Sequence, residues 1–254
     1  MYKVITTCYN CEAFIKKCIE SLLCQKRSDW EMYIFDDAST DKSFEVATKV
    51  ANGDSRIKII KNKKNKGAVY NKTYNFVSHA KPKDEDVIVT LDGDDYLGSP
   101  YALCYLDKIY SKDYWLTYGG LVCLEEFFSS DLRKPIDWSK SLRNQMFCIT
   151  HLRSHKFFLY KNVKDKDLRH RNGKLFKIPE DIILNIPMAE MAGKDKCFFI
   201  TPKLYYHRYH SNSDTIKNFD HRADVVKNDI SFREAYHKKT KQQLLDWECD
   251  WSIV

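Results

Sequence analysis

Residues 86–95 read Asp86-Val-Ile-Val-Thr-Leu91-Asp92-Gly93-Asp94-Asp95, and this stretch decides the fold. Asp86 to Leu91 reads as a short, β-branched strand, apolar enough to be central. At its carboxyl end three carboxylates fall within four residues. Ionised and dry, they would repel one another, and a divalent cation is the simplest relief. All-oxygen ligands favour Mg²⁺ or Mn²⁺ over zinc. Gly93 is expected to let the backbone approach a ligand closely. With no ligand, the same residues would form an acidic turn capping a helix.

Upstream, three more units of the same kind can be read. Lys3 to Thr7 is a β-rich run followed by the polar turn Tyr9-Asn10. Phe14, Ile15, Cys18, Ile19, Leu22 and Leu23 then recur at helical spacing. Glu31 to Phe35 is a second strand ending in Asp36-Asp37. Ser39-Thr40-Asp41 offers a helix start, and Phe44, Val46, Ala47 and Val50 continue it. Ile57 to Ile60 is a third strand. A lysine- and asparagine-rich loop leads to Gly67 and a helix through Tyr70, Tyr74 and Val77. Alternating strands and helices predict an α/β fold with a mostly parallel central sheet flanked by helices. Polar clusters follow the first, second and fourth strands, at the edge where open α/β sheets bind ligands.

Downstream the pattern is less regular. Val163 to Gly173 is a charge-rich loop, expected to be solvated surface. Pro179-Glu180-Asp181 precedes a helix from Ile182 to Met191, and Lys196 to Ile200 is a further strand. From Arg222 to Trp251 the tail has helical periodicity. The expected organisation is a nucleotide-binding half over residues 1–97, a second half of the same domain over 98–215, and a helical appendage over 216–254.

Composition bounds the function. The chain has 254 residues, 42 basic and 35 acidic, a net charge of +7, with 43% hydrophobic residues. Disordered and collagen-like classes are excluded. No apolar run approaches the ~18 residues of a membrane span, and residues 1–8 lack the pattern of a secretory signal. A cytoplasmic protein is the expectation, with room for weak association with an acidic membrane surface. Lysine far outnumbers arginine, which argues against base readout and nucleic-acid partners. The excess charge suits an anionic substrate such as a nucleotide diphosphate. Nine cysteines cannot all pair, and the Cys8-Tyr9-Asn10-Cys11 pattern has no second pair at zinc spacing. Free structural thiols are expected.

In order, Thr6-Thr7-Cys8-Tyr9-Asn10, Asp36-Asp37-Ala38-Ser39-Thr40-Asp41, Asn65-Lys66-Gly67 and Asp92-Gly93-Asp94-Asp95 resemble the family 2 glycosyltransferases of the GT-A fold. Glu180-Asp181 resembles the acidic pair that opens a helix of that family. Tyr206-His207-Arg208-Tyr209-His210 with Ser213 resembles its Y-x-R-x-H-x-x-S segment. His151-Leu152-Arg153 and Pro187 to Gly193 resemble a subgroup of large DNA viruses and some bacteria. Cys8 stands where the family often has Pro or Ser, and Asn71-Lys72-Thr73 where A-R-N is common.

The resemblance implies an inverting, metal-dependent transfer of a sugar from a nucleotide-sugar, a UDP-sugar foremost, to an acceptor hydroxyl on a glycan, protein or lipid. Thr7, Tyr9 and Asp37 would hold the base and Asp92 would lie near the ribose. Asp94 would bind Mn²⁺ or Mg²⁺, with His210 completing the shell. Lys72 and Arg208 would neutralise phosphate, and Asp181 would be the general base. Two other readings are a nucleotidyltransferase and a non-catalytic nucleotide-sugar or glycan-binding module. The first is disfavoured because Thr7 to Ile15 contains no glycine for a phosphate loop. The second would show a degraded acidic site.

Overall fold

The computed structural model describes residues 1–124, 134–145, 149–208, 210, 233–249 and 251. Its elements follow the expected alternation. Strand β1 is Tyr2–Cys8, helix α1 Ile15–Leu23, β2 Trp30–Asp36, α2 Ser43–Ala51 and β3 Ile57–Lys61. Next come α3 (Ala68–Tyr70), a π-helical segment Asn71–Asn75, α4 (Phe76–Ala80) and β4 (Val87–Thr90). The second half contains β5 (Tyr96–Leu97), α5 (Ala102–Tyr110), β6 (Leu116–Cys123), β7 (Ser154–Lys156), α6 (Phe157–Tyr160), α7 (Glu180–Ala192), β8 (Cys197–His207) and α8 (Lys241–Leu245).

The strands form one eight-stranded sheet in the order β3-β2-β1-β4-β7-β6-β8-β5. Pairing is parallel from β3 to β4 and between β6 and β8, and antiparallel at β4–β7, β7–β6 and β5–β8. The period-two alternation of the strands splits the core into two layers. Val4, Met32, Ile34, Val87 and Val89 face the layer containing Ile15, Ile19 and Leu22 of α1 and Leu103 and Leu106 of α5. Ile5, Tyr33, Phe35 and Ile88 face the other, with Val69, Phe76, Phe158 and Ile183. Each of these buried aliphatic or aromatic side chains contributes about 1.5–3 kcal/mol relative to exposure. Covering on both faces explains why these strands read as continuous apolar runs.

Three expectations are revised. Strand β8 does not end at Ile200; it continues to His207, so Tyr205, Tyr206 and His207 are strand residues. The loop from Val163 to Gly173 is not simply solvated. Val163 and Leu168 are buried, Asp165 accepts from Arg169 Nε at 2.7 Å, and Arg233 Nη1 lies 3.5 Å from Asp167. Within the predicted helical tail, 234–240 are irregular and α8 is five residues long. Residues 216–232, 250 and 252–254 of that prediction lie outside the described residues, as do Ser211 to Ser213.

Candidate active site

The turns after β1 and β2 are tied to one another. Asn10 N donates to Ser39 Oγ at 3.0 Å, Thr40 N to Asn10 Oδ1 at 2.9 Å, and Cys11 N to Ser43 Oγ at 2.7 Å. This leaves Tyr9 half-exposed at 52%, its ring on the rim of the sheet's carboxyl edge. The thiols of Cys8, Cys11 and Cys18 are free and buried. Burial pushes the Cys18 thiol up, and the nearby Asp95, Cys8 and Asp94 add to it. Such thiols are poor nucleophiles, as structural cysteines should be.

Asp37 is buried and already heavily used. Its carboxylate accepts from Asn62 Nδ2 (2.8 Å), Lys66 N (2.9 Å) and Gly67 N (2.8 Å). A carboxylate has about four acceptor positions, so one further N–H donor can be accommodated. Gly67 has φ +87°, and a Cβ there would lie 2.8 Å from Lys177 Cα, so only glycine fits this cradle.

Gly93 is explained differently from the expectation. Its close neighbour is β1 itself: Gly93 N donates to Thr7 O at 3.0 Å, and a Cβ would lie 2.9 Å from that oxygen. The glycine lets the acidic turn dock against the end of β1, beside Thr7.

The acidic residues separate by environment. Asp95 is buried, accepting from Tyr205 Oη (2.7 Å), His207 Nδ1 (2.8 Å) and Arg208 N (2.9 Å). Burial pushes its carboxyl up to about 6, with His207 opposing and Asp94 reinforcing the shift. Burial works against charge on His207, but Asp95, Asp94 and Asp92 outweigh it and raise His207 to about 9. The two form an ion pair that anchors the turn to β8. Asp94 is more open, and its Oδ2 lies 3.1 Å from His210 Nε2. Arg208 sets its guanidinium 5.1 Å from the Phe14 ring and 5.2 Å from that of Tyr96.

Asp92 joins a second network with the start of α7. Lys72, 3% exposed, places Nζ 2.7 Å from Asp92 Oδ1 and 2.7 Å from Glu180 Oε1. Burial works against the Lys72 charge, and Asp92 and Glu180 outweigh it. Arg153, equally buried, stands 3.7 Å from Asp92, 3.8 Å from Glu180 and 3.6 Å from Asp181 Oδ2. Asp181 Oδ1 accepts its neighbour's amide, Ile182 N, at 3.0 Å. The structure therefore brings Lys72, Asp92 and Asp181 together, and pairs Asp94 with His210. Asp37 sits in the separate 62–67 cradle.

Two contributors went unassigned in the sequence, Arg153 and the ion-paired role of Glu180. Arg153 lies in a short segment with no periodicity to flag it. Glu180 was visible beside Asp181, but only the fold reveals its partner 108 positions away.

Two donor sets could hold a metal. Asp92, Asp95 and His151 bring one ligand atom each within 4.8 Å of one another. All three are committed elsewhere: Asp92 to Lys72, Asp95 to His207, and His151 Nε2 to Arg153 at 2.8 Å. Asp94 Oδ2 and His210 Nε2, 3.1 Å apart and both partly exposed, could instead flank a divalent cation. The Asp94 carboxylate suits Mn²⁺ or Mg²⁺, whereas the His210 imidazole is a ligand of softer ions and does not by itself favour Mg²⁺.

Residues 3–169 match the model of glycosyl transferase family 2. The chain belongs to this family. It is 36% identical over 129 residues to EpsE of Bacillus subtilis (strain 168), a match covering 49% of the chain and 44% of that protein. The match thus spans less than half of this relative. Among solved structures, S. aureus TarS 1-349 in complex with UDP-GlcNAc superposes with a TM-score of 0.68 at 16% identity, covering 96% of the chain and 70% of that one. The mannosyltransferase PcManGT from Pyrobaculum calidifontis, in complex with GDP-Man and Mn²⁺, gives 0.65 at 16%, covering 92% and 65%. Both carry the same GT-A architecture. Among the described residues, no helix is long and apolar enough to cross a membrane.

Proposed function

We propose that the chain catalyses inverting, metal-dependent transfer of a sugar from a UDP-sugar to an acceptor hydroxyl. The observation that carries this reading is the division of labour among the carboxylates at the sheet's carboxyl edge. Asp94 is partly exposed beside His210, and Asp181, partly exposed at the start of α7, has the Arg153 guanidinium at the looser distance of 3.6 Å. Between them, Asp92, Asp95 and Glu180 are held more closely, Asp92 and Glu180 by Lys72 at 2.7 Å and Asp95 by His207 at 2.8 Å. Similar structures hold UDP-GlcNAc, or GDP-Man with Mn²⁺, which supports a nucleotide-sugar donor and a divalent cation.

In this reading Tyr9 stacks on the base, Thr7 lines its site, and Asp37 accepts its N–H through the remaining acceptor position. Asp92, fixed by Lys72, meets the ribose. Lys72 then serves the diphosphate indirectly, since reaching a phosphate would break two charged hydrogen bonds. Arg208 lies near enough to the Asp94 turn to face the diphosphate. The cation held by Asp94 and His210 would, when bound, stabilise charge on the departing diphosphate. Asp181 takes the proton of the acceptor hydroxyl as that oxygen attacks the anomeric carbon. The bond from that carbon to the diphosphate oxygen breaks on the opposite face, so configuration inverts. Glu180 is the poorer base because its carboxylate is held by Lys72. Residues 1–97 would serve the donor and 98–215 the acceptor.

The test is donor turnover. With Mn²⁺ and a panel of UDP-sugars, UDP should be released slowly even without acceptor. Asp181→Asn should retain UDP binding and lose transfer. Unimpaired transfer by that variant would contradict the assignment of the base.

A further inference from the structure

Residues 233–249 and 251 run across the face of the molecule that carries α6 and α7. Tyr236 N donates to Glu190 Oε2 at 2.9 Å and Lys239 N to Met191 O at 2.9 Å, both on α7. Asn162 Nδ2, just past α6, donates to Leu244 O at 2.9 Å. Trp251 is buried, donates Nε1–H to Val163 O at 2.8 Å, and sets its ring edge-on to Tyr160, 4.8 Å between centroids. Tyr160 is 1% exposed, and its hydroxyl donates to the backbone carbonyl of Lys72.

That contact falls where the helical ladder is irregular. Lys72 lies in the π-helical segment Asn71–Asn75, and π-helical turns are rare and concentrate where a side chain must be aimed. The side chain aimed here is Lys72 itself, whose ammonium bridges Asp92 and Glu180. A continuous line of contacts thus runs from Trp251 through Tyr160 and the Lys72 carbonyl to the carboxylates at the sheet edge. The same segment grips α7, whose first turn carries Glu180 and Asp181.

We propose that Tyr160, braced by Trp251, is a positioning residue that sets the backbone of Lys72, so that residues 233–249 and 251 act as a strap holding the Asp92–Lys72–Glu180 bridge in register. The strap is held by α6, α7 and the turn that follows α6, and it acts through Lys72. Its consequence for turnover rests on the glycosyl-transfer reading, whereas its consequence for Lys72 does not.

The experiment uses the full chain with Tyr160→Phe, which keeps the ring and removes the hydroxyl, and Trp251→Leu as a second variant. Each protein is treated with a water-soluble acetylating ester and the labelling rate of individual lysines is read by mass spectrometry. Lys3 is the internal control: it is also buried and ion-paired, to Glu31 at 2.7 Å, but lies at the other end of β1. Losing one hydrogen bond should raise Lys72 labelling about fivefold while leaving Lys3 unchanged. Lys72 staying protected, or Lys72 and Lys3 rising together, would overturn the proposal. If the unsubstituted chain turns over a UDP-sugar, Tyr160→Phe should lower kcat by about the same factor. Selective labelling with unchanged kcat would overturn the strap's role in turnover. Selective labelling in a chain with no turnover of any nucleotide-sugar would sink the transfer reading and leave the positioning intact.

Discussion

Lys72 and Glu180, 108 positions apart in the chain, meet at 2.7 Å, and the same ammonium reaches Asp92 at the same distance. One buried cation thereby locks the acidic turn after β4 to the first turn of α7. Such a bridge contributes little net stability over an apolar substitute, because desolvating its charges costs nearly what their attraction returns. Removing only one partner is different. Lys72→Met leaves Asp92 and Glu180 facing each other with Arg153 as the remaining nearby cation, and should cost about 3–5 kcal/mol in urea unfolding. A loss under about 1 kcal/mol would show that the bridge is dispensable to the fold.

The two acidic residues of α7 should separate kinetically. Asp181→Asn removes the proposed base and should lower transfer by about 10²–10⁴-fold with UDP affinity intact. Glu180→Gln loosens Lys72 and should weaken both donor binding and transfer by smaller factors. Steady-state kinetics with UDP titrations distinguishes the two, and equal effects would dissolve the division of roles.

Gly67→Ala tests the base cradle. The substitution forces a Cβ into a left-handed backbone position against Lys177 and displaces an N–H bonded to Asp37. A stability loss of about 1–3 kcal/mol is expected from the backbone alone, together with weaker UDP binding by calorimetry. Unchanged UDP affinity would remove Asp37 from the nucleotide site.

Acid sensitivity should trace in part to His155. It is buried against Tyr160, ring centroids 4.6 Å apart, with neither ring nitrogen hydrogen-bonded among the described residues. Burial, aided by Arg153, lowers it from 6.5 to about 3. The fold therefore holds it neutral, while the unfolded chain binds a proton below 6.5. Its contribution is complete above pH 6.5 and is lost as pH falls from there toward 3, by about 1.4 kcal/mol per pH unit. His155→Phe keeps the ring stack and should flatten the stability loss between pH 7 and 5. Parallel pH curves for variant and parent would refute this.

The alternation of β1, α1, β2, α2, β3 and β4 was legible because β1, β2 and β4 are buried on both faces and α1 repeats its apolar side chains at helical spacing. Strand β6 was not. Its Leu116-Thr-Tyr-Gly-Gly-Leu121 core is interrupted by Gly119 and Gly120, both at positive φ, where the pairing with β8 shifts register. The expected strand stopped at Ile200, yet Tyr205, Tyr206 and His207 also pair with β5 and β6. Individual acidic residues could be singled out locally. Which of them are neutralised, and by what, depended on Lys72 and Arg153 arriving from other elements, a matter of tertiary structure with no local signature.

The central claim is that Asp94 at this edge supports cation-dependent use of a nucleotide-sugar. The most direct measurement is UDP release from UDP-sugars by the full chain, with Mn²⁺ and with a chelator, for the parent and for Asp94→Ala. Release that requires Mn²⁺ and falls to background in Asp94→Ala is the predicted result. Release that persists under chelation, or that Asp94→Ala leaves undiminished, would contradict it.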